Sequence, residues 1–381
     1  MPTGLRYAAF RKVKGRKLGH ERRPFTGQYA MFYDRSVPSM QIRRPMPSSL
    51  HTIITPRPRY TPTPTTLATM ECYNDFGTWL RSQFPFKVQK ISVDGGFTCP
   101  NRDGRISHGG CAFCDNNTFS PAYCRLGGKP RSILEQIEEG KRFFSHKYPE
   151  MRYLAYFQSY SNTYAPLDTL KRRYEEALQS DGVVGIVIGT RPDCVDDELL
   201  DYLAKMARQT FVIVEYGIES ANDATLRSIN RGHTFECSRR AIDATASRGI
   251  ITGGHVIIGL PGDDEEECIR QAEAVSSTKL GILKIHQLQI IRGTRLAEEY
   301  LRTPFHLYSP EEYVRLLTRY IQHLRPDIIL DRFTSQTPAE MLIAPHWGLK
   351  NHEFANLLAN HMRATGARQG QLYTPEAWHK T

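Results

Sequence analysis

The chain has 381 residues, 40% of them hydrophobic, and a formal net charge of +10. That length can bury a large core in one big domain or two, and no apolar run approaches the length that crosses a bilayer, so the protein reads as soluble. Eight cysteines in so long a chain are too few and too clustered for a disulfide scaffold, and no N-terminal secretory pattern precedes them, so reduced thiols in a cytoplasmic setting are expected.

The charge is unevenly spread. Residues 1–69 hold thirteen Lys and Arg against two acids, which leaves the rest of the chain at −1. The body therefore gives no support for nucleic-acid binding. The same tail carries nine of the 23 prolines, including PRPRYTPTPTT, and shows neither helical nor strand periodicity, so residues 1–69 are expected to be disordered. An Arg-rich, acid-poor tail also suits a transit peptide or a nucleic-acid arm, although so many prolines disfavour an amphipathic presequence helix. Met70 stands just before the first patterned residues, so the domain is expected to begin near residue 70, with an extension upstream of a natural start as the simplest account of the tail.

From Val88 onward short apolar runs alternate with helical patterns. The runs are VQKISV (88–93), YLAYF (153–157), GIVIG (185–189), FVIVEYG (211–217), HVIIG (255–259) and ILKIHQLQI (282–290). Their length and β-branched content suit buried parallel strands. Ser132 and Glu135 form a capping box before ILEQIEEGKRFF, and residues 166–179 place Leu167, Leu170, Tyr174 and Leu178 on one face. Further helices are expected at about 196–208, 234–248 and 264–277, and Ser309-Pro310-Glu311-Glu312 opens another with Pro in its first turn. Six strand–helix repeats predict an α/β fold, a partial (β/α)6 TIM-type barrel over 70–326; no G-x-G-x-x-G follows any strand, which argues against a Rossmann sheet. DIILDRF and APHWGLKNHEF belong to an expected C-terminal extension, 327–381, about which periodicity says little. No Walker A loop is present, and HEFAN (352–356) lacks the second His of a zinc protease motif.

Three of the eight cysteines, Cys99, Cys111 and Cys114, fall within CPNRDGRISHGGCAFC, in the loop after the first strand. In a parallel barrel that loop opens on the C-terminal face, where such enzymes do their chemistry. Gly95, Gly96, Gly104, Gly109 and Gly110 let the backbone wrap closely around a bulky object. Three accounts compete. The cysteines are incidental; or they form a structural zinc site completed by His108 or Cys124, since zinc wants four ligands; or they hold an iron–sulfur cluster, in which three thiolates leave one iron open.

A cysteine triad ending in C-x-aromatic-C after the first strand of a six-repeat barrel resembles the radical S-adenosylmethionine (SAM) superfamily. The gap between Cys99 and Cys111 is eleven residues where three is usual, and in this CPNRDG…GGC-x-F-C is similar to the YhcC-like branch, related to the elongator-type core. The resemblance runs from about Tyr73 to Phe354. It implies that Cys99, Cys111 and Cys114 bind a 4Fe-4S cluster, that its open iron chelates SAM, and that Phe113 lies near the adenine. EYGIESANDATLRSINRGH (215–233), HVIIGLPGD (255–263) and GIVIGTRPDC (185–194) are similar to the family's later strands, implying SAM contacts at Glu219, Arg231, His255, Arg191 and Asp193. The usual G-G-E element is missing. In its place YFQSYSNTYAP offers Gln158, Ser159, Ser161 and Asn162 as acceptors for the SAM amino group.

Each residue has a plainer reading. Glu219 and Arg231 make an ion pair worth little, His255 is a satisfied core histidine, the GLPGD glycines make a turn, and Arg191 pairs with Asp193. Their shared position, near the C-terminal ends of predicted strands, favours the site reading independently of the family likeness. Cys237 and Cys268 read as small buried residues, and Cys124 and Cys194 as loop residues near the site. The resemblance implies a radical SAM enzyme in which an electron from a flavodoxin or ferredoxin cleaves SAM to a 5′-deoxyadenosyl radical that takes hydrogen from an unidentified, possibly RNA-related substrate. Its rivals are a zinc-stabilised nucleic-acid-binding protein and a cluster-binding barrel without SAM cleavage.

Overall fold

A computed structural model describes residues 72–115, 122–126, 129–145 and 150–375. The basic tail expected to be disordered lies outside them. Seven strands form one parallel sheet whose spatial order follows the chain: β1 (Val88–Val93), β2 (Arg152–Phe157), β3 (Val183–Thr190), β4 (Phe211–Glu219), β5 (Ile251–Ile258), β6 (Ile282–Gln287) and β7 (Ile329–Arg332). β1 and β7 are its two edges, so the barrel is open. Helices α2 (Ile133–Ser145), α3 (Leu167–Leu178), α4 (Asp197–Ala207), α6 (Phe235–Ser247) and α7 (Glu265–Ser276) each lie between consecutive strands in the chain. A short α5 (Asp223–Ser228) precedes α6, and α8 (Arg295–Arg302) and α9 (Pro310–His323) connect β6 to β7. The α/β partial barrel expected from sequence is therefore present.

The helix starts are set locally. The Ser132 amide donates to Glu135 Oε2 at 2.8 Å and the Glu135 amide donates to Ser132 Oγ at 3.2 Å, the two halves of a capping box. Ser309 and Glu312 repeat the motif at α9, with Pro310 in the first turn. Asp196 and Asp264 cap α4 and α7.

Three expectations shift. β5 begins at Ile251, four residues ahead of HVIIG, and takes in Gly253 and Gly254. A Cβ on Gly253 would lie 2.8 Å from Glu215 Cγ, and one on Gly254 would lie 2.7 Å from Ile218 Cδ1; the glycines permit close backbone approach. ILKIHQLQI breaks after Gln287, and Ile290–Ile291 pairs antiparallel with Leu342–Ala344. Finally, β7 comes out of DIILDRF, so the segment read as an appendage extends the sheet by one strand.

Two apolar layers hold the sheet. Its outer face packs against the surrounding helices through residues such as Ile91, Phe157, Ile188, Val214 and Leu283. Inside, Phe76 and Leu80 of α1 (Phe76–Gln83) meet Leu154, Val187, Ile213, Ile282 and Ile329. Ile282 and Ile329 open their strands, so α1 fills the N-terminal mouth and leaves the C-terminal mouth free. Among the described residues no helix is long and apolar enough to cross a membrane. Phe76 is 7% exposed and Phe143, on the outer helix α2, is 72% exposed. Phe76→Ala should therefore cost about 3–5 kcal/mol in urea denaturation, and Phe143→Ala within about 0.5 kcal/mol of nothing.

Candidate active site at the C-terminal mouth of the barrel

The loop after β1 folds back on itself. The amides of Arg102 and Asp103 donate to the Cys99 carbonyl at 2.8 and 3.2 Å, and the Gly110 amide donates to the Asn101 carbonyl at 2.8 Å. Asn230, held at φ 55°, donates its side-chain amide to the Gly110 carbonyl and to Ser107 Oγ, both at 2.9 Å. The returning arm is then stitched on both sides: the Ala112 amide donates to the Ile229 carbonyl and the Leu296 amide to the Ala112 carbonyl, each at 2.8 Å. The long spacer thus closes, and Cys99, Cys111 and Cys114 line one cavity of about 710 Å³ together with Phe113.

The strand ends supply charge to the same cavity. Glu219, at the end of β4, has φ 70° and follows a register shift against β5. The bulge and the left-handed backbone turn its carboxylate toward Arg231, with Oε1 3.5 Å from Nη2. The two side chains are 12% and 7% exposed, so this is no surface pair. A Cβ on Gly217 would fall 2.4 Å from Glu219 Oε1 and 2.5 Å from Arg231 Nη2, so a larger residue there would displace the pair. Arg231 also lies 3.4 Å from Cys111 Sγ through Nη1, and Asn101 Nδ2 lies 3.5 Å from the same sulfur.

Arg191 lines the cavity while its guanidinium forks onto Asp193 at 2.8 and 2.7 Å. Asp193 stands behind it as the counter-ion. Asn162 is also one step back: its amide donates to the Phe157 and Gly189 carbonyls at 3.1 and 2.8 Å. From the loop in place of the G-G-E element, Gln158, Tyr160 and Ser161 face the cavity. Gln158 Oε1 already accepts from Ser92 Oγ at 3.0 Å. Ser159 is buried and does not line the cavity. Cys194 and Cys124 do not line it either, and burial pushes the Cys194 thiol up to about 12.

His255 is both a cavity residue and a satisfied one, with Nε2 3.1 Å from Glu215 Oε2. Glu215 is the centre of a network that sequence reasoning missed. Lys284 Nζ donates to its Oε2 at 2.6 Å and Lys90 Nζ to its Oε1 at 3.2 Å, while Lys90 also reaches Asp331 at 2.7 Å. Tyr156 Oη accepts from Lys284 at 3.1 Å. Burial opposes the charge on Glu215, but Lys284 and Lys90, with His255, outweigh it and hold the carboxyl well below its usual range. The signal was in the sequence: FVIVEYG, ILKIHQ and VQKISV each place a charge inside an apolar strand.

The donor set fits a cluster with a polar ligand beside it. Burial and the neighbouring Cys111 push the Cys114 thiol up to about 12 despite Arg102, so a bound cation would have to draw the thiolate out. Buried polar atoms without a partner surround the triad, among them Asn101 Oδ1, Ser161 Oγ, Asn162 Oδ1, Arg191 Nη1 and Arg231 Nε. Of these residues Ser161, Arg191 and Arg231 line the cavity, where a polar ligand could satisfy them. Among the described residues no group of three or more His, Cys, Asp or Glu side chains is gathered closely enough to hold a metal ion.

The comparisons agree with this geometry. The Radical SAM superfamily description matches residues 101–274, and the Radical SAM C-terminal domain matches 281–364. YtqA of Bacillus subtilis (strain 168) is 34% identical over 304 residues, covering 79% of this chain and 92% of its own. YhcC of Escherichia coli (strain K12) is 36% identical over 275 residues, covering 72% and 87%. The archaeal Methanocaldococcus infernus Elp3 with an N-terminal deletion superposes with a TM-score of 0.55 at 17% identity, over 74% of this chain and 64% of that one, a likeness of fold. A tRNA uridine(34) acetyltransferase of Methanocaldococcus jannaschii is 24% identical over 200 residues, about half of this chain and 36% of that protein.

Glu215 gives a pH signature. Its depressed carboxyl contributes stability that is present above the ordinary carboxylate range and is lost as pH falls through the lowered value. Glu215→Gln, which leaves Lys90 and Lys284 only Asp331 to share, should cost on the order of 3–5 kcal/mol near neutral pH, and the gap to wild type should narrow only below about pH 4. Denaturation at a series of pH values reads both.

Proposed function

This chain belongs to the radical SAM superfamily, with YtqA and YhcC as relatives over most of their length, and on that premise we propose that it binds a 4Fe-4S cluster and SAM in the cavity described above and cleaves SAM reductively. The observation that carries the reading is the meeting of three thiols with Glu219, Arg231, Arg191 and His255, drawn from separate strands and loops, in the lining of one cavity. When bound, the cluster would supply one-electron chemistry, drawn from a low-potential donor of the flavodoxin or ferredoxin kind, for reductive cleavage of SAM and hydrogen removal from substrate.

The chain's own residues bind and orient. Cys99, Cys111 and Cys114 are the cluster ligands, and Asn101 and Arg231 donate toward the Cys111 sulfur, which lowers the electron density there. Glu219 and Arg231 present paired charges to the zwitterionic and hydroxyl parts of SAM. Ser161 Oγ, buried and unpartnered on the cavity lining, takes the role of the missing acidic element toward its amino group, with Asn162 one step behind it. Phe113 offers a ring or backbone to the adenine. Arg191, held rigid by Asp193, faces the same space. The buried walls exclude water from a radical. A reduced-thiol site of this kind suits a cytoplasmic protein.

The substrate follows less directly. The likeness to a tRNA-modifying protein spans about a third of that protein, and the body of this chain lacks a basic excess, so an RNA substrate has only that likeness behind it.

Anaerobically reconstituted protein should be brown, carry iron and sulfide near cluster stoichiometry, and form 5′-deoxyadenosine with SAM and dithionite. Cys111→Ala should lose the chromophore and the activity together. Zinc without iron would overturn the proposal, and a cluster with no cleavage would reduce it to a cluster-binding barrel. Arg231→Gln, which removes a donor behind the cluster sulfur, should lower cluster retention or 5′-deoxyadenosine formation about 10–100-fold while the fold, followed by circular dichroism, persists.

A further inference from the structure

Two bulges interrupt the main sheet at the cavity, and each turns a charged side chain inward. One delivers Glu219 to Arg231. The other lies at the end of β7, where the pairing with β6 shifts between Leu330 and Arg332, so that Arg332 and not Asp331 sits opposite Lys284. Side chains alternate along a regular strand, but the extra residue lets two neighbours face inward together. Asp331 reaches Lys90 and Lys284, at 2.7 and 3.6 Å, and Arg332 lines the cavity.

The other cations of the cavity are matched. Lys90 and Lys284 share Glu215 and Asp331, Arg191 holds Asp193, Arg231 meets Glu219, and Arg102 donates to the Cys114 carbonyl. Arg332 has neither a carboxylate within ion-pair distance nor a hydrogen-bond acceptor among the described residues. Its surroundings are neutral and polar: His286 Nδ1 lies 3.2 Å from Ser335 Oγ, and the Thr337 hydroxyl donates to Gln289 Oε1 at 2.6 Å. Burial, and then the charges of His255, Arg332 and Lys284, hold the His286 imidazole well below its usual value, so the ring is neutral in a positive field. Glu340, the carboxylate on this side, is exposed at the rim.

We infer that the β6–β7 wall is the substrate's anchoring point, where Arg332 takes one oxyanion, a carboxylate or a phosphate, of a small molecule. The inference rests on the radical SAM reading, because cofactors on the cysteine side leave this wall to the substrate. A guanidinium fork matches either oxyanion, and a half-buried cation without a counter-ion favours binding one. The near-neutral body, at −1 outside residues 1–69, favours a compact anion over a nucleic-acid strand, which needs a basic track.

The test uses the reconstituted full chain with SAM and no reductant, titrated calorimetrically at low ionic strength with inorganic phosphate and separately with propionate. Saturable binding of at least one is expected, and the preferred probe tells the two sources apart. Arg332→Gln should weaken it about ten-fold or more, and Arg332→Lys, which keeps the charge but loses the fork, by less. On wild type, phenylglyoxal should modify Arg332, read by peptide mass spectrometry, and the bound anion should protect it; this arm needs no variant to fold. Equal affinities in wild type and Arg332→Gln, no binding of either anion, protection by SAM alone, or tighter binding of a single-stranded RNA oligonucleotide would each overturn the inference. SAM cleavage by wild type is scored separately. Cleavage without Arg332-dependent binding refutes this inference alone, whereas anion binding without cleavage counts against the radical SAM reading alone.

Discussion

The sheet depends on ion pairs that cross its interior. Its edges, β1 and β7, do not pair with each other through backbone hydrogen bonds. Lys90 on β1 nevertheless reaches Asp331 on β7 and Glu215 on β4, and Lys284 on β6 reaches both acids. Four strands are thereby tied to a common point. Such a network is a costly way to stabilise a protein, since desolvating charges consumes most of the attraction and apolar residues of similar size would serve as well. Its value lies in geometry: it fixes the separation of the two edges and gives the cavity a polar floor above the apolar plug of α1.

The division between plug and cavity follows the strands upward. Near their starts the inward side chains are Leu154, Ile213, Ile282 and Ile329; a few residues on they are Tyr156, Glu215, Lys284 and Asp331. Alternation along each strand keeps most of the outward side chains apolar, against the helices. One sheet face can therefore hold a dry core at one end and a reactive cavity at the other without any change in architecture.

Much of this was legible in the chain itself. The six apolar runs, the capping box at Ser132, the helix start at Ser309 and the cysteine loop report local physics, and each marks an element of the structure, with two of the runs shifted at one end. Glu219, Arg231, Arg191 and His255 line one cavity, whereas Asp193 and Asn162 stand behind it. The misses share a cause. Gly253 and Gly254 fall outside the apolar run HVIIG, and the crowding by Glu215 and Ile218 that favours glycine there comes from a neighbouring strand. β7 is short, and its pairing with Ile282 and Leu283 lies more than forty residues back in the chain. Lys90, Glu215, Lys284 and Asp331 are isolated charges in separate segments, and only the curvature of the sheet makes them one group.

The spacer of the cysteine loop shows how such a site tolerates change. The position of Cys111 is set by hydrogen bonds from Ala112 to Ile229 and from Leu296 to Ala112, together with Asn230 holding Gly110. The position of Cys99 is set by its place after β1 and by the turn that Arg102 and Asp103 close over it. Neither set of bonds depends on the number of residues between them. Loop closure costs little more for eleven residues than for three, since its entropy grows only with the logarithm of length. A longer arm does add surface at the cavity's edge: Ile106 is exposed there, and Arg105 stands 5.6 Å over the Tyr164 ring. The thiols can thus keep their mutual arrangement while the spacer is free to vary, so the spacing between the first two cysteines is a poor guide to chemistry, and what the third and second cysteines are stitched to is a better one.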